Sequence, residues 1–580
     1  MKSDYYDEEK ITNIWTEYQK GIMFNRTKNL YTNTEKNYNF YYGDQWEGAK
    51  LGDIQPITFN IIKPIVKYKL GVIYQNYYEI VFTPNLYYNQ QEGELLTEIC
   101  KVLNRHIAKM WELQQADKKT REAIKDSCIN DEGIVHLYFD KEATLEVIDK
   151  NNICYGNENN PDIQSQPYII IAYRQPVEEV RKKATEEGLN EEQVKLILSD
   201  TETQEQTGYK GITDEVNEMC LVLLKYYKKD GKVFYSRATR TVEIEKDIPT
   251  QMKLYPVAHI NWEIKKGSAR GIGAVNTIIP NQIEINKIDA RRALAVKIGA
   301  FQKLVYNKDL ITNPNALKTV GGAIEVKGGA TVDDVKKAVG YIYPTSMSAD
   351  ATNLSTEMKT NTRELEGAGD TATGNVDPTK ASGKAILAVQ QANQQPLSEQ
   401  VENTKTFIED IARICFEIWK TYEVNGMPVM YEQKDSEGNI IEVPGVIPYE
   451  LLEKLEPNIK VEITPTSSYD RYAKEQSLEN LFTNDKITFE EYVEALPQGS
   501  VMPKNTLEKI IQKRKENQAK LTQMQIQADK INSEMNQKMA IQEQQGNAVE
   551  DIAQQGENIN SNIINQLGGN QNEMQTMQTG

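Results

Sequence analysis

The chain has 580 residues, with 67 lysines and arginines against 84 aspartates and glutamates, which gives a formal net charge of −17 at pH 7. Because Lys and Arg supply most of the affinity for phosphate, this balance excludes a protein whose whole surface grips nucleic acid, but it is compatible with a nucleic-acid path confined to one small surface. The length allows about three to five domains, and the composition is typical of a soluble globular protein.

Residues 1–9 are acidic and have no apolar centre, so they do not form a signal peptide. Apolar runs stay far below the ~18 residues that span a bilayer. Three widely separated histidines give no local metal or catalytic cluster. The cysteines form no Cys-x-x-Cys pair, so they are expected to be buried free thiols in a reducing cytosol rather than disulfide partners or zinc ligands: Cys100, Cys128, Cys154, Cys220 and Cys415.

The N-terminal half predicts helices followed by strands. A polar and aromatic helix over 26–42 ends at Gly43, and a second helix begins after Asn60. A short strand over 79–83 and two helices over 91–130 follow. Strands are then expected at 133–140 and 145–175, a charged helical stretch at 176–200, and a meander at 219–264 in which Asp230-Gly231 marks a tight hairpin.

The helix predicted over 274–299 has two apolar stripes on nearly opposite faces. Ile278 and Ile285 represent one stripe, and Ile279, Ala290 and Ile298 represent the other. An ordinary surface helix buries one stripe, so this helix is expected to lie between neighbours, either within one core or between subunits of a ring.

The next segment leaves the helix and returns. Strand-like pieces with Gly-rich turns occupy 300–343, a polar helix covers 347–366, and a loop with three glycines follows at 367–380. A long helix is expected from about Ser382, with a kink at Pro396. Strands return at 426–465 and helices at 470–495 and 504–543, whereas the Asn- and Gln-rich end is expected to be disordered.

Two glycine-rich motifs are similar in part to nucleotide-binding turns. The turn 267–273 follows a strand-like segment and precedes a helix, as in a dinucleotide turn, but strand–helix alternation is missing elsewhere, so a flexible turn is favoured. Ser382-Gly383-Lys384-Ala385 has Pro378 where a phosphate-binding loop needs Gly, and Ala385 where it needs Ser or Thr. Nucleotide hydrolysis at this second motif is therefore rejected.

Taken in order, these segments resemble the portal proteins of tailed bacteriophages, the ring-shaped head-to-tail connectors at one capsid vertex. The resemblance covers about residues 26–500. Its specific signal is the order and spacing of several motifs, namely Tyr41-Tyr42-Gly43-Asp44-Gln45-Trp46, Asn60-x-x-Lys63-Pro64-Ile65-Val66, the strand 133–140, Tyr255-Pro256-Val257, the turn 267–273, and the loop before Ser382-Gly383-Lys384-Ala385-Ile386.

The resemblance implies an α+β, predominantly helical subunit with the phage portal fold, made of wing, stem, clip and crown regions and a long kinked helix. It divides the chain into the N-terminal part of the wing (1–273), a stem helix (274–299), the clip (300–346), a second stem helix (347–366), the tunnel loop (367–380), the long helix (381–425), the C-terminal part of the wing (426–469), the crown (470–545) and a Gln/Asn-rich tail (546–580).

Three groups of site residues follow from that division, and none of them is catalytic or metal-binding. The tunnel loop would face DNA with mobile glycines and polar side chains: Gly367, Gly369, Asp370, Thr371, Thr373, Gly374, Asn375 and Lys380. The stem cations would face the channel or a neighbouring subunit: Lys287, Arg291, Arg292 and Lys297. The clip lysines would meet the terminase motor: Lys308, Lys318, Lys327, Lys336 and Lys337.

As a portal, the chain would be a non-enzymatic component of the virion, assembled in the cytoplasm of the host bacterium, with no cofactor and no membrane contact. Its expected partners are eleven further copies in a twelve-subunit ring, the double-stranded viral DNA in the channel, the terminase large subunit, the major capsid and scaffolding proteins, and head-completion or tail adaptor proteins. Two alternatives stay open: an enzyme that binds a nucleotide cofactor through 267–273, and another oligomeric phage connector or head protein.

Overall fold

The computed structural model describes residues 12–52, 54–85, 90–199, 218–299, 303–329, 331–342, 349–369, 395–434, 440–465, 477–484, 486–496 and 504–543. The described residues are mixed α+β, 52% of them in helices and 22% in strands, so the predicted α+β class with a helical majority is confirmed. The chain divides into two compact units, Met1–Ser467 and Ser468–Gly580, which are described separately.

The first unit contains twelve α-helices within the described ranges. They are α1 (Asn13–Thr27), α2 (Leu30–Tyr42), α3 (Ile62–Tyr74), α4 (Gln90–Leu113), α5 (Ala116–Ile129), α6 (Val177–Glu186), α7 (Glu191–Lys195), α8 (Ala274–Gly299), α9 (Val332–Ala338), α10 (Ala349–Leu365), α11 (Ser398–Tyr422) and α12 (Tyr449–Lys454).

Its strands are β1 (Asn76–Thr83), β2 (Glu132–Asp140), β3 (Glu142–Ile148), β4 (Ile153–Tyr155), β5 (Tyr168–Pro176), β6 (Met219–Lys229), β7 (Lys232–Ala238), β8 (Glu243–Pro249), β9 (Val257–Asn261), β10 (Lys303–Tyr306), β11 (Val339–Ile342), β12 (Met427–Lys434), β13 (Ile440–Ile447) and β14 (Asn458–Pro465).

Local capping chemistry sets the ends of the first helices. The helix α2 ends at Gly43, whose φ of 106° lies in the left-handed region that glycine adopts without steric cost. The side-chain oxygen of Asn60 accepts a hydrogen bond from the backbone N–H of Lys63 at 3.1 Å in the first turn of α3. The preceding helix α1, which begins after the N-cap residue Thr12, was not predicted because its sequence is polar and only weakly periodic.

Two antiparallel sheets form the centre of the first unit. One has the strand order β3-β2-β9 and the other the order β4-β5-β6-β7-β8. The predicted hairpin at Asp230-Gly231 joins β6 to β7, and both residues have positive φ (53° and 76°), as a two-residue primed turn requires. The predicted meander is thus confirmed, and β9 leaves it to pair with β2.

The C-terminal part of the first unit returns to its N-terminal part. The strand β14 pairs antiparallel with β1, from Asn76 opposite Pro465 to Thr83 opposite Asn458. The helix α11 carries a completely buried row that includes Ile411, Cys415 and Trp419. Residues nearly 400 positions apart therefore share one hydrophobic core.

The predicted long helix is described only from Gln395 onward. Gln395–Leu397, which includes Pro396, forms a 3-10 turn, and the α-helix begins at Ser398. Pro396 therefore lies before the first turn of α11 rather than at a kink inside a described helix, because proline cannot donate the hydrogen bond that a helix interior needs. The predicted part over 381–394 lies outside the described residues.

The second unit contains α13 (Phe489–Ala495) and the 40-residue helix α14 (Lys504–Glu543). A small apolar cluster around Tyr492, Val493 and Leu496 receives Leu507 and Ile511 from the start of α14. The helix predicted over 504–543 is confirmed. Residues 546–580, for which disorder was predicted, lie outside the described residues.

As predicted, all five cysteine side chains are buried and none forms a disulfide. Burial raises the pKa of the Cys100 thiol to about 11 and that of Cys154 to about 12, which keeps them protonated and unreactive at neutral pH. No helix in the described part of the chain combines the length and apolar character that crossing a membrane requires.

Candidate functional site: an antiparallel helix pair and its distal segment

The helix α8 is buried along its first part and exposed along its last turns. Ile278 and Ile279, one from each predicted stripe, are both buried, as is Ala290. Beyond Ala290 the helix leaves the body, and Val296 and Ile298 are 68% and 49% exposed. Within the single chain, both apolar stripes are therefore covered only as far as Ala290.

A second helix, α10, runs antiparallel to α8. The side chain of Asn281 donates a hydrogen bond to the Thr362 hydroxyl at 3.2 Å, and the Thr277 hydroxyl meets Glu366 at 3.1 Å. Further from the body, Asp289 contacts Ser355. Residue numbers rise on one helix as they fall on the other, so the two helices form an antiparallel helix pair.

A buried carboxylate joins the two helices of this pair. Asp289 on α8 accepts a hydrogen bond from the Ser355 hydroxyl at 2.7 Å and pairs with Lys359 at 2.6 Å and with Arg292 at 3.3 Å. Burial alone would raise the pKa of Asp289, but the hydrogen bonds from Lys359 and Ser355 and the two positive charges lower it below its usual value. Asp289 is therefore an ionised link between α8 and α10.

A chain of side-chain amides holds the root of α8 against the N-terminal helices. The amide of Asn286 donates to Gln45 at 2.7 Å, and Gln282 donates to Asn286 at 2.9 Å. Gln282 also bonds the backbone of Phe59 and Ile61, at 3.0 and 2.9 Å. Because these amides are buried and each finds a partner, they fix the position of α8 with geometric specificity.

The two N-terminal motifs of the resemblance meet at this root. The Asn60 side chain donates to the backbone carbonyl of Tyr41 at 2.9 Å, and Gln45 donates to the carbonyl of Phe40 at 2.8 Å. A salt bridge of 2.7 Å between Lys69 and Glu366 adds a link from α3 to the end of α10. Motifs that are separate in the sequence thus form one supporting structure under the helix pair.

The glycine-rich turn 267–273 is tightly packed against the body. A Cβ atom at Gly273 would lie 1.9 Å from the backbone oxygen of Asn130, and one at Gly271 would lie 2.7 Å from that of Glu263. These two glycines are therefore required by the close approach of two backbone segments. The second half of the turn is therefore closely packed against the body, whereas the sequence favoured a flexible turn.

Arg270 anchors the same turn in a buried ionic cluster. Its guanidinium pairs with Glu132, and it makes two contacts of 3.1 Å with Glu158. The imidazole of His259 lies 3.0 Å from the other oxygen of Glu132. Burial alone would raise the pKa of Glu132, but the charge of Arg270 and the hydrogen bond with His259 hold it below its usual range.

The surroundings of the turn differ from a dinucleotide-binding site. The preceding strand β9 pairs antiparallel with β2, whereas the dinucleotide fold places its turn after a parallel strand. The backbone N–H groups of Ser268, Ala269 and Ile272 donate to carbonyl oxygens of the protein. These donors are therefore already used and cannot cradle a phosphate, and no described group of three or more His, Cys, Asp or Glu residues could hold a metal ion.

Between the two helices the chain forms a small distal segment, residues 303–329 and 331–342. The strands β10 and β11 pair antiparallel, with Lys303 opposite Ile342, so the segment closes on itself where it joins the helices. A one-bridge contact between Ile311 and Val326 and the short helix α9 complete it. Among the side chains of this segment that the structure describes, which exclude those of Val332 and Val335, the buried apolar ones are Ile311 and Ala338.

Apolar side chains are instead displayed on the outside of the distal segment. Six of them are at least 39% exposed, and Val320 is completely exposed: Val305, Tyr306, Val320, Ile324, Tyr341 and Ile342. Since so few of its described apolar side chains are buried, the segment would gain stability if another surface covered the exposed ones.

The predicted stem cations belong to α8, and two of them have partners in the same chain. Lys287 pairs with Glu284 at 2.6 Å, and Arg292 pairs with Asp289. Arg291 and Lys297 are exposed. All five predicted clip lysines are exposed on the distal segment, and none forms an ion pair within the described chain: Lys308, Lys318, Lys327, Lys336 and Lys337.

Of the predicted tunnel loop, the structure describes Gly367, Ala368 and Gly369. Gly367 follows α10 with a φ of 71°, as a glycine after a helix end commonly does, and Ala368 is buried. The other predicted loop residues lie outside the described residues: Asp370, Thr371, Thr373, Gly374, Asn375 and Lys380.

Sequence reasoning missed Asp289, Asn286 and Arg270. A weak signal was available for the first two, since a carboxylate and an amide on an apolar helix stripe need buried partners. Arg270 gave no such signal, because an arginine in a Gly-rich turn is usually solvated.

No protein-family model matches this chain, and no curated protein matches its sequence.

Proposed function

We propose that this chain is the portal protein of a tailed bacteriophage, a ring-forming subunit that conducts double-stranded DNA into and out of the capsid. In this proposal, α8 and α10 are the stem, the distal segment is the clip and the α+β body is the wing. The subunit would nucleate the capsid shell, admit DNA through the axial channel and retain it after packaging.

One observation carries the proposal: an antiparallel helix pair that ends in a small segment with almost no core of its own. The burial of two apolar residues, Ile311 and Ala338, cannot offset the conformational entropy that is lost when the described distal segment becomes ordered. The exposed Val296 and Ile298 continue the same apolar surface onto α8. Neighbouring copies in a ring would cover these side chains and complete the core.

The buried root of the helix pair is consistent with a load-carrying element. Amide hydrogen bonds from Asn286 and Gln282, the ion pair of Lys69 with Glu366, and the Arg270 cluster all fix the base of α8 and α10. A channel wall built from such pairs needs a defined angle to the body in every subunit. The fixed turn at 267–273 supplies that angle at the start of α8.

The described chain offers few groups that would hold DNA along the helix pair. Two of the four stem cations already pair with carboxylates of the same chain. Weak contacts repeated around a ring would centre the duplex without arresting it, and the negative net charge would oppose adhesion over most of the remaining surface. The energy for movement would come from a separate terminase motor docked on the distal segment.

Deletion of 370–376 tests the tunnel-loop assignment within this proposal. The deletion spares Ala368, which is buried and contributes to the body. We expect rings to assemble as in the wild type while the amount of DNA packaged or retained per capsid falls. The measurement is the yield of DNA-filled capsids in a complementation assay, with ring assembly followed in parallel by light scattering.

A deletion of equal length at 204–210 serves as the control, since it removes seven residues from another segment of the same chain. The control should package DNA normally. Normal DNA-filled capsids from the 370–376 deletion would contradict the tunnel-loop assignment, whereas failure of both deletions to assemble would indicate that the first phenotype is not specific to the loop.

A further inference from the structure

Five cations from two neighbouring helices form one surface, the basic face: Lys63, Lys67, Lys118, Arg121 and Lys125. On α3, Lys63 and Lys67 are four residues apart, and on α5, Lys118, Arg121 and Lys125 are spaced by three and four, so each set shares one side of its helix. Lys67, Lys118 and Arg121 are exposed, and the other two are half-buried.

Tyrosines join the cations of α3 to those of α5. The ammonium groups of Lys63 and Lys125 lie 5.9 and 5.6 Å from the ring centre of the same Tyr41, and Lys125 is also 6.0 Å from that of Tyr42. Arg121 lies 5.3 Å from the ring centre of Tyr74 on α3. These contacts place the two sets of cations side by side and restrict the side chains before any ligand binds.

The basic face lacks neutralising partners. None of its five cations forms an ion pair within the described chain, although the protein has a net charge of −17. Among the nearby acids, Asp117 accepts a hydrogen bond from Trp111 and Asp126 accepts one from Tyr38. Burial raises the pKa of Asp126 to about 6, so part of its charge is lost near neutral pH. Glu122 remains as an exposed carboxylate about 100° around α5 from Arg121.

We propose that the basic face binds the phosphate backbone of duplex DNA. Five cations without ion-pair partners, three of them held against tyrosine rings, on a surface of an otherwise acidic protein are the electrostatic signature of a phosphate site. None of the exposed large aliphatic side chains in the described chain lies on α3 or α5, and Tyr42 is the exposed aromatic beside the face, so the face has little of the apolar centre typical of a protein interface.

Duplex DNA fits this surface better than a single strand does. Single-strand binding relies on exposed aromatic faces on which bases stack. Here Tyr41 is 6% exposed and its ring is approached by two cations, and only Tyr42 is well exposed, at 57%. The inference does not depend on ring formation or on the tunnel loop, because every contact lies within one body of the single chain.

Charge reversal of two exposed members tests this inference. The full-length variant K67E/R121E is compared with K265E/K266E, which makes the same change in net charge at two exposed lysines outside the face. The probe is a short fluorescein-labelled DNA duplex, and the measurement is fluorescence anisotropy over a range of salt concentrations. Thermal unfolding checks that both variants are folded, and K118E provides a second, milder change on the face.

The expected result is a loss of duplex affinity of about tenfold or more in K67E/R121E, with a salt slope smaller by about 1.8, as expected for two lost phosphate contacts. K265E/K266E should change the affinity by much less. Equal losses in both variants, or no loss in K67E/R121E and K118E, would overturn the inference. So would tighter binding of a single strand, or displacement of the duplex by polyglutamate at equal charge concentration, which would indicate an acidic protein as the partner. This binding result is independent of whether the protein forms rings.

Discussion

His136 is an enclosed imidazole in the strand β2. Its Nε2 atom lies 2.9 Å from the hydroxyl of Tyr226, and the side chain is almost inaccessible to water. Burial lowers the pKa of His136 from 6.5 to about 4, and the charge of Arg237 lowers it further in the same direction. The folded protein therefore holds this ring neutral at pH values where the unfolded chain would protonate it.

This shift predicts a loss of stability in mild acid. Because the pKa of His136 is depressed on folding, the unfolded chain binds more protons below pH 6.5, and stability falls as the pH falls toward 4. Between pH 7 and pH 5 the wild type should lose about 2 kcal/mol more of its free energy of unfolding than H136Q does. Urea unfolding at both pH values measures the difference.

The comparison of the wild type with H136Q is needed because Asp126 titrates in the same pH range and has the opposite effect on stability. Burial raises the pKa of Asp126 to about 6, so its protonation stabilises the folded state as the pH falls. Gln can still bond Tyr226, which separates the effect of charge from that of the hydrogen bond. An identical pH dependence in the wild type and H136Q would contradict the assignment of this titration to His136.

Residue roles were predictable where they depend on local geometry and not where they depend on distant partners. Gly43 was correctly placed after a helix because a left-handed C-terminal position favours glycine. The role of Arg270 depends on Glu132, which lies 138 residues earlier. Nothing in a Gly-rich stretch indicates that its arginine will be buried against two carboxylates.

The helix pair depends on a small number of polar contacts between α8 and α10. Asp289 is buried and receives three donors, two of them charged. Truncation to alanine would leave the ammonium of Lys359 and the hydroxyl of Ser355 without their acceptor. Removing one partner from a buried polar network costs more folding stability than the intact network contributes, because the remaining groups stay buried without a hydrogen-bond partner.

D289A should therefore loosen α10 from α8, with a cost of about 1–3 kcal/mol. We expect hydrogen–deuterium exchange to accelerate over 349–365 while the strands β5 and β6 exchange as in the wild type. The matched control is E284A, which removes an exposed carboxylate on the same helix whose partner is Lys287. Equal exchange over α10 in D289A and wild type would contradict the role of Asp289.

At the level of elements, the sequence predicted hairpins and single helices better than it predicted which distant strands pair with each other. Alternating residues around Asp230-Gly231 define both strands of the β6–β7 hairpin. The pairing of β1 with β14 joins segments nearly 400 residues apart, and neither strand carries a signal for its partner. The helix α8 was predicted as covered on two sides, yet one chain covers it only to Ala290.

At the scale of the whole molecule, the first unit combines a well-packed body with an extension whose described side chains form almost no core. The body contains the large apolar cluster around α11, β2 and β9, whereas the distal segment displays Val320, Tyr341 and Ile342 to solvent. Twelve copies, each with a net charge of −17, would carry a charge of about −204, which would repel DNA from most surfaces. Such a ring would pass DNA without adhering to it, except at local cationic sites.

The oligomeric state of the purified full-length protein tests the central proposal most directly. Mass measurement in solution combined with negative-stain imaging should give a closed ring of about a dozen subunits around a central hole, because neighbouring copies must cover Val296, Ile298 and the distal segment. A variant with V296D and I298D should form fewer rings, while M23D, which changes an exposed methionine on α1, should assemble normally. A wild-type protein that stays monomeric or dimeric at high concentration, with no central hole, would contradict the portal assignment.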